Sequence, residues 1–311
     1  MSRLNLVAAA CSALVAVWPA AAEQAPPGAV GVAQQEERPA DYKLVWADEC
    51  DKDGRPDPRY WTYERGFVRN EELQWYQPDN ARCQDGLLLI EGRKQRVTNP
   101  NHDPNSKDWK RSRQYADYTS ACLTTRGRHQ WTYGRFEMRG RIDTRPGIWP
   151  AWWALGTLRG WPACGEIDMM EFYRGQLLAN ACWAGSQRRT PVWDTFKKPI
   201  DQFGDPGWSS KFHVWRMDWD RQAVRLYVDG ELLNTIELNK TINADREKSN
   251  PFTEPHYMLL NLAIGGQAGG DPSQTEFPAR FEVDYVRVYQ RPPQDTAAEQ
   301  DAPADAEKPA R

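Results

Sequence analysis

The 311-residue sequence lacks several patterns that would place it in other classes of protein. It has no CxxC pair, so its cysteines do not predict a structural zinc site. Its net charge of −3 argues against a general nucleic-acid-binding protein. Pro19 interrupts the apolar run near the start, which is shorter than the roughly 20 residues that span a membrane. Helical periodicity is scarce and no internal repeat is evident, which leaves short strands as the main elements.

Both ends of the chain differ in composition from its middle. Residues 1–22 have a basic start, an apolar stretch and small residues before Glu23, which predicts a signal peptide and an exported protein, secreted or periplasmic. Residues 23–40 and 291–311 are rich in proline, alanine, glutamine and acids, which predicts a flexible linker and a disordered tail. We therefore expect one domain over 41–290, a normal size for an all-β sandwich.

Short alternating or apolar runs, separated by glycine, aspartate and proline, recur through this domain. They predict an all-β sandwich of two large antiparallel sheets. Two basic segments with embedded aromatic residues, 96–117 and 186–208, are predicted as long loops, either functional or merely solvated. The predicted strands are DYKLVWAD, GLLLIEGRK, TSACLTT, YGRFEMRGRID, GEIDMMEF, LLANACWAG, HVWRMDWD, VRLYVDG, HYMLLNLAI and FEVDYVRVYQ.

Three acids lie within the apolar stretch GEIDMMEF, and one of them is out of phase for a strand. Glu166 and Asp168 share a face because strand side chains alternate, whereas Glu171 falls on the other face. A β-bulge at Met169 and Met170 would bring all three acids to the same face. The two glutamates would then be roughly 13 Å apart between Cα atoms at ~3.3 Å per residue.

Two carboxylates on one strand face suit glycoside hydrolysis. Inclined side chains could close the separation to the ~5–5.5 Å between carboxyl groups that a retaining glycosidase uses. A calcium site, a surface helix and a solvated strand face are the alternatives. The fifteen tryptophans agree with sugar binding, although tryptophan also fills sandwich cores.

The stretch WPACGEIDMMEF resembles the active-site strand of glycoside hydrolase family 16, in its laminarinase-like branch with the bulged ExDxxE motif. The resemblance extends over 41–290 and implies a concanavalin-like β-jelly roll with a concave cleft and a retaining, double-displacement reaction. It implies that Glu166 is the nucleophile, Glu171 the acid/base and Asp168 the carboxylate that assists them. Four further stretches carry it: NEELQWYQPDNARCQDGLLLIEGRK, YTSACLTTRGRHQWTYGRFEMRGRI, GIWPAWWALG and FEVDYVRVYQ.

The same resemblance implies substrate-binding residues. Trp149 and Trp153 match tryptophans that line subsites, while the residue before Trp153 should face the core. Asn70 matches a polar residue of the cleft. Trp161 and Trp183 are further candidate platforms for sugar, each with a structural role as the alternative.

Two cysteines occupy cleft positions where the family usually has other residues. Cys122 replaces an arginine that would contact sugar, and Cys182 replaces a histidine. Strand parity also places Cys164 on the cleft side with Glu166. We expect a disulfide among these three cysteines, with buried reduced thiols as the alternative.

Two further features concern cysteine pairing and metal binding. Cys50 and Cys83 are candidates for a second disulfide. The family frequently binds calcium near its first and last strands, and Glu49 and Asp284 match the acidic positions. A salt bridge or a solvated acid is the alternative for each of them.

We therefore expect a monomeric enzyme that binds a polysaccharide and needs no cofactor for catalysis, with calcium only as a structural ion. The leading interpretation is an endo-acting retaining glycoside hydrolase that cleaves β-1,3- or mixed-linkage β-glucan. A galactan hydrolase of the agar or carrageenan type is the alternative that the basic segments favour, because basic groups could bind sulfate. A transglycosylase of the same fold and a non-catalytic carbohydrate-binding jelly roll remain open. Retention of both glutamates argues against the latter.

Overall fold

The computed structural model describes residues 40–185, 190–244 and 247–292 of the chain. The predicted signal peptide, all but the last residue of the linker, and the tail beyond residue 292 lie outside these ranges and stay predictions. Within the described ranges, none of the helices has the length and apolar character needed to cross a membrane.

The described residues form two β-sheets packed face to face, which confirms the predicted all-β sandwich. Apart from two single-turn α-helices (Trp109–Ser112 and Gly266–Gly269), the helical segments are short 3-10 turns: Pro78–Asn80, Ile200–Phe203, Trp208–Ser210, Leu238–Lys240 and Pro251–Thr253. In chain order the strands are β1 (Lys43–Asp48), β2 (Thr62–Tyr63), β3 (Gln74–Tyr76), β4 (Ala81–Gln84), β5 (Leu87–Thr98), β6 (Tyr115–Ser120), β7 (Cys122–Thr124), β8 (Gly134–Arg141), β9 (Ile148–Gly156), β10 (Glu166–Tyr173), β11 (Gln176–Ala184), β12 (Pro191–Pro199), β13 (His213–Trp219), β14 (Ala223–Val228), β15 (Glu231–Glu237), β16 (His256–Ile264) and β17 (Ala279–Gln290).

The smaller sheet has the order β12-β11-β10-β9-β16-β7-β2, and all its strand pairs are antiparallel. The larger sheet runs β15-β14-β13-β8-β17-β5-β6-β3, with β1 on β17 and β4 on β5. One large apolar core lies between the sheets and includes Trp152, which is fully buried as predicted. Strand β10, which carries the three acids, has a strand on each side in the smaller sheet. Its face away from the core is therefore a rigid support for a site.

Two predicted loops contain strands. Strand β5 continues to Thr98 and β6 begins at Tyr115, so the first predicted loop is shorter than 96–117. The second, 186–208, contains β12, which pairs along its whole length with β11. The prediction was wrong there because the charged residues of β12 hide its alternation of buried and exposed faces.

The predicted β-bulge is present in β10. Asp168 pairs with Asn180 of β11 and Glu171 with Leu178, so two residues of β10 oppose one residue of β11. The two bulge residues, Met169 and Met170, are fully buried in the core. The bulge therefore turns all three acids to the opposite, cleft side of the sheet.

The cysteine predictions are confirmed in one part and wrong in another. Cys50 and Cys83 form a disulfide. Cys122, Cys164 and Cys182 are buried free thiols, so the expected disulfide among them is absent.

Backbone geometry explains why these three thiols remain unpaired. Cys122 lies on β7, three strands away from β10 and about 14 Å across the sheet, which is too far for a disulfide. Cys164 precedes Gly165, whose φ of +79° interrupts the strand alternation that the prediction assumed. A Cβ on Gly165 would lie 2.7 Å from Pro251, so glycine is required at this turn.

Candidate active site

Register across the smaller sheet places the three acids in rows with their neighbours. Glu166 pairs with Cys182 on β11, Asp168 with Asn180 and Glu171 with Leu178. All three acids line a cleft of about 640 Å³. A second cavity of about 730 Å³ lies elsewhere, beside Tyr42, Tyr133 and Trp219; it has a single acid in its lining and no carboxylate pair. Of these two cavities, the cleft over β10 is the one that holds several carboxylates.

Indole N–H groups hold the two glutamates separately. Trp149 donates to Oε1 of Glu171 at 2.8 Å, and Trp161 donates to Oε2 of Glu166 at 2.5 Å. The amide of Asn180 donates to Asp168 at 3.2 Å and to Glu171 at 3.4 Å. These donors fix the orientation of each carboxylate before substrate arrives.

Burial sets the proton affinities of the two acids on either side of the bulge. It raises the pKa of Glu171 to about 7, with Glu166 and Glu72 adding repulsion and Trp149 and Lys197 opposing it. Burial also raises the pKa of Asp168 well above its usual range, and both glutamates add repulsion. Near neutral pH, Glu171 is therefore poised to donate a proton, and the same causes favour the protonated form of Asp168.

Glu166, the residue predicted to be the nucleophile, has different neighbours from Glu171. Burial raises the pKa of Glu166, while the Trp161 hydrogen bond, the positive charge of Arg69 and a hydrogen bond with Asp168 lower it. The bond to Asp168 has the opposite effect on Asp168 itself, because a protonated Asp168 donates to Glu166. The hydrogen bond between the two carboxyl groups thus favours the proton on Asp168 and the charge on Glu166.

The predicted substrate-binding residues meet different outcomes in the structure. Trp149, Trp153, Trp161 and Asn70 all line the cleft. Trp183 does not line it: the side chain packs against the core and makes an edge contact with Phe252. The structural alternative therefore suits Trp183, because β11 pairs with β10 in a register that turns Cys182, and not Trp183, toward the cleft.

Trp153 contacts a cation where a sugar was expected. Its ring is only 7% exposed, its indole N–H donates to Asn261 at 2.7 Å, and the Arg69 guanidinium lies over it at 4.9 Å. Arg69 also forms an ion pair with Glu64, while its Nη1 atom is buried without a hydrogen-bond partner among the described residues. A ligand at this end of the cleft would therefore meet the edge of an arginine before the face of Trp153.

Several cleft residues were missed by sequence reasoning. Arg69 directly precedes Asn70, a predicted cleft residue, and this adjacency was the signal that the sequence offered for it. Asn180 is in phase with Asp168 on the next strand, a signal that needs the register. Trp193, Thr195 and Lys197 lie on β12, which the sequence did not reveal as a strand.

The acids predicted to bind calcium are occupied by arginines. Both carboxylate oxygens of Glu49 accept from Arg287 at 2.7 Å, and Asp284 accepts from Arg139 at 2.6 Å. In the described ranges no cluster of three or more acids, histidines or cysteines could hold a metal ion. Glu49 and Asp284 therefore do not fit a calcium site, and ion pairing accounts for both.

A sandwich with two oriented carboxylates over a bulged strand, inside a tryptophan-lined cleft, defines the glycosidase class. The family model of glycosyl hydrolases family 16 matches residues 90–287. The chain belongs to this family, whose members hydrolyse O-glycosyl bonds.

Individual relatives agree with the family assignment. A beta-glucanase from Rhodothermus marinus is 35% identical over 272 residues, which cover 80% of this chain and 85% of the relative. The endo-1,3-beta-glucanase (laminarinase) catalytic domain from Thermotoga petrophila RKU-1 has a TM-score of 0.67 and 34% identity, covering 81% of this chain and 98% of its own. A structure from work on endo-acting O-glycanases of the human gut microbiota, which initiate mucin breakdown, has a TM-score of 0.74 and 33% identity, covering 82% and 92%. The glucanase relatives support endo-acting hydrolysis of β-glucan.

Proposed function

We propose that this protein is an exported, endo-acting, retaining β-glycosidase that cleaves β-1,3- or mixed-linkage glucan. One observation carries the proposal: Glu166 and Glu171 share the cleft face of β10, and each is held by its own indole N–H. The expected site of action is outside the cytoplasm, secreted or periplasmic, and the expected form is a monomer.

Two successive displacements account for the roles of the glutamates. In the first, the Glu166 carboxylate attacks the anomeric carbon while Glu171 transfers its proton to the departing glycosidic oxygen, so that bond breaks as the glycosyl-enzyme bond forms. In the second, ionised Glu171 takes a proton from water, the water oxygen attacks the anomeric carbon, and Glu166 leaves as a carboxylate. A pKa of about 7 suits Glu171 to both steps, because the group must donate and then accept.

Asp168 assists without touching the sugar in this scheme. It lies between the glutamates on the same face and is buried, with Asn180 as a hydrogen-bond donor to it. By holding a proton toward Glu166, it stabilises the ionised nucleophile and limits the negative charge in the cleft. Asp168 is therefore a positioning residue.

Product analysis tests the proposal. The purified protein is incubated with laminarin, mixed-linkage glucan and a panel of galactans, and the products are followed by chromatography and by NMR of their anomers. Internal cleavage with retention at the anomeric carbon is expected, and inversion would exclude the double displacement. Longer oligosaccharides than the substrate would indicate a transglycosylase, and binding without cleavage would indicate a carbohydrate-binding module.

Substitution of each glutamate tests the assignment of roles. Glu166→Gln and Glu171→Gln should each reduce kcat by at least about a thousandfold, as expected when a covalent nucleophile or a general acid is lost. Only Glu171→Gln should still release the aryl group of an activated aryl glycoside in a single-turnover burst, because that first step needs no protonation, whereas the second step still lacks its base. Unchanged turnover in either variant removes that residue from its role.

A galactose-containing chain is the second candidate substrate. Arg69 covers the ring of Trp153 and so changes the surface that a sugar would meet. The gut O-glycanase structure, described as initiating mucin breakdown, is also similar to this chain over 82% of its length. Cleavage of a galactan in the same panel, or of a mucin glycan added to it, with glucans left intact, would favour this candidate.

A further inference from the structure

Strand β12 forms one edge of the smaller sheet and borders the cleft. Its nine residues pair with β11 in unbroken register, from Pro191 opposite Ala184 to Pro199 opposite Gln176. Side chains therefore alternate strictly between the two faces of this strand. The two faces have distinct partners.

One face of β12 is occupied by structural contacts. Asp194 accepts a hydrogen bond from Asn234 at 3.1 Å, Phe196 packs against the main core, and Lys198 forms an ion pair with Glu231 at 2.6 Å. Each of these side chains is half-buried. This face attaches the edge strand to the rest of the sandwich.

The other face of β12 presents an exposed row to the cleft: Trp193, Thr195 and Lys197. Of the tryptophans that the structure describes, only Trp161 and Trp193 are exposed, at 49% and 44%, and both line the cleft. An exposed indole ring with no packing role is costly in water and suits the apolar face of a sugar ring.

The row is in register with the catalytic acids. Trp193 pairs with Cys182, which pairs with Glu166; Lys197 pairs with Leu178, which pairs with Glu171. Each β12 residue is thus two strands, or about 10 Å, from its acid across the sheet. A polysaccharide seated over the acids can therefore reach β12 with a neighbouring sugar unit.

Lys197 has no structural function comparable to that of Lys198. It is exposed in the cleft and has no ion pair with any described carboxylate, whereas its neighbour is paired and lies over Phe203 at 4.1 Å. The charge of Lys197 reaches Glu171 only at longer range, where it lowers the pKa of that carboxyl. An ammonium group without an ion pair, beside a sugar platform, would bind an anion on the sugar.

We propose that the cleft face of β12 is a specificity-determining subsite, in which Trp193 supports a sugar unit and Lys197 binds an anionic substituent on it. The substituent is a sulfate ester or a carboxylate, so a β-linked polysaccharide that carries one should bind more tightly than its neutral counterpart. This rests on the proposed function, because it concerns the substrate of the same cleft.

Matched neutral and anionic probes test the subsite. Laminarin is compared with laminarin sulfate and carboxymethyl laminarin, and keratan sulfate with chemically desulfated keratan. The sulfated and carboxymethylated derivatives distinguish the two sources of negative charge. Affinity is measured by calorimetry on the Glu166→Gln background, which needs no turnover, and kcat/KM is measured on the active enzyme.

The expected result is a loss of preference for charge in one lysine variant only. Lys197→Met should lower the ratio of anionic to neutral affinity by about two- to fivefold, as for an exposed ion pair, and added salt should reduce the difference. The matched control Lys198→Met should leave the ratio unchanged. Trp193→Ala should weaken binding of charged and neutral probes alike.

Several results would overturn the subsite. A ratio that is unchanged in Lys197→Met, or reduced equally in Lys198→Met, removes the role of Lys197. Equal changes of kcat on neutral and anionic probes with a shifted pH profile would assign Lys197 to Glu171 and not to substrate. Full affinity in Trp193→Ala removes the platform. Charge-dependent binding without any cleavage would contradict the proposed function and leave the subsite supported.

Discussion

The indole nitrogen of Trp149 lies 2.8 Å from Oε1 of Glu171, so the proposed proton donor is itself a hydrogen-bond acceptor. This bond stabilises the ionised carboxylate and lowers the pKa of Glu171, against the burial that raises it to about 7. The alkaline limb of kcat/KM should therefore fall near pH 7, where Glu171 loses its proton.

Removal of the Trp149 hydrogen bond should shift that limb upward. In Trp149→Phe the ionised form of Glu171 loses a donor, so its pKa rises and the alkaline limb moves by about one pH unit to higher pH. The measurement is the pH profile of kcat/KM. Trp153→Phe is the matched control, because its indole donates to Asn261 and not to a catalytic acid. A limb that stays in place, or moves to lower pH, contradicts the assignment of Glu171 as the acid.

The other indole should control the opposite limb. Trp161 donates to Glu166 and lowers the pKa of that carboxylate. In Trp161→Phe the pKa of Glu166 rises, so the nucleophile is protonated at higher pH and the acidic limb moves upward. Because Trp161 is half exposed, we expect a shift of only about half a pH unit. Displacement of the alkaline limb by Trp161→Phe would show that the two glutamates are not controlled separately.

The arrangement of the three acids could be predicted because the bulge changes the spacing of the acids in the sequence. Glu171 out of phase with Asp168 can be explained only if the strand gains a residue, and the apolar pair Met169 and Met170 indicates where. That one irregularity explains why both methionines are buried in the core and why all three acids line the cleft.

The walls of the cleft could not be predicted in the same way. The half-buried face of β12 mixes Phe196 with Asp194 and Lys198, which have polar partners, so no regular apolar period marks the strand. The Arg69 contact with Trp153 joins residues 84 positions apart, and only the folded chain brings them together. Local sequence patterns predict which side chains of a strand share a face, but they do not predict which strands become neighbours in the sheet.

The free thiols lead to a chemical prediction. Without reductant, Cys122, Cys164 and Cys182 should be alkylated only after unfolding, because all three are buried in the native protein. Cys50 and Cys83 should appear as one cross-linked peptide in mass spectrometry of a digest. A cross-linked peptide that contains any of the three buried cysteines would contradict the structure.

The disulfide should contribute measurably to stability. Cys50 and Cys83 are separated by 33 positions, a loop for which the chain-entropy relation predicts about 3–4 kcal/mol. The double variant Cys50→Ser, Cys83→Ser should therefore unfold at a lower urea concentration than the wild type. The double variant Cys122→Ser, Cys164→Ser tests whether loss of buried sulfur alone has the same effect. Equal stability of the Cys50→Ser, Cys83→Ser protein and the wild type would show that the cross-link does not constrain the unfolded chain.

The raised pKa of Glu171 should lower the stability of the folded protein at neutral pH and above. Its folded-state pKa of about 7 exceeds the ordinary 4.5, so the folded protein holds a proton that the unfolded chain has released between these values. Stability from this group is present below about pH 4.5 and is lost as pH rises through 7. A shift of this size corresponds to about 3 kcal/mol, and glutamine cannot ionise.

Glu171→Gln should therefore gain stability over the wild type progressively between pH 4.5 and 7, with Glu237→Gln as the surface control. Urea unfolding at a series of pH values measures the difference in the free energy of unfolding. A difference independent of pH would mean that the pKa of Glu171 is not raised in the folded protein.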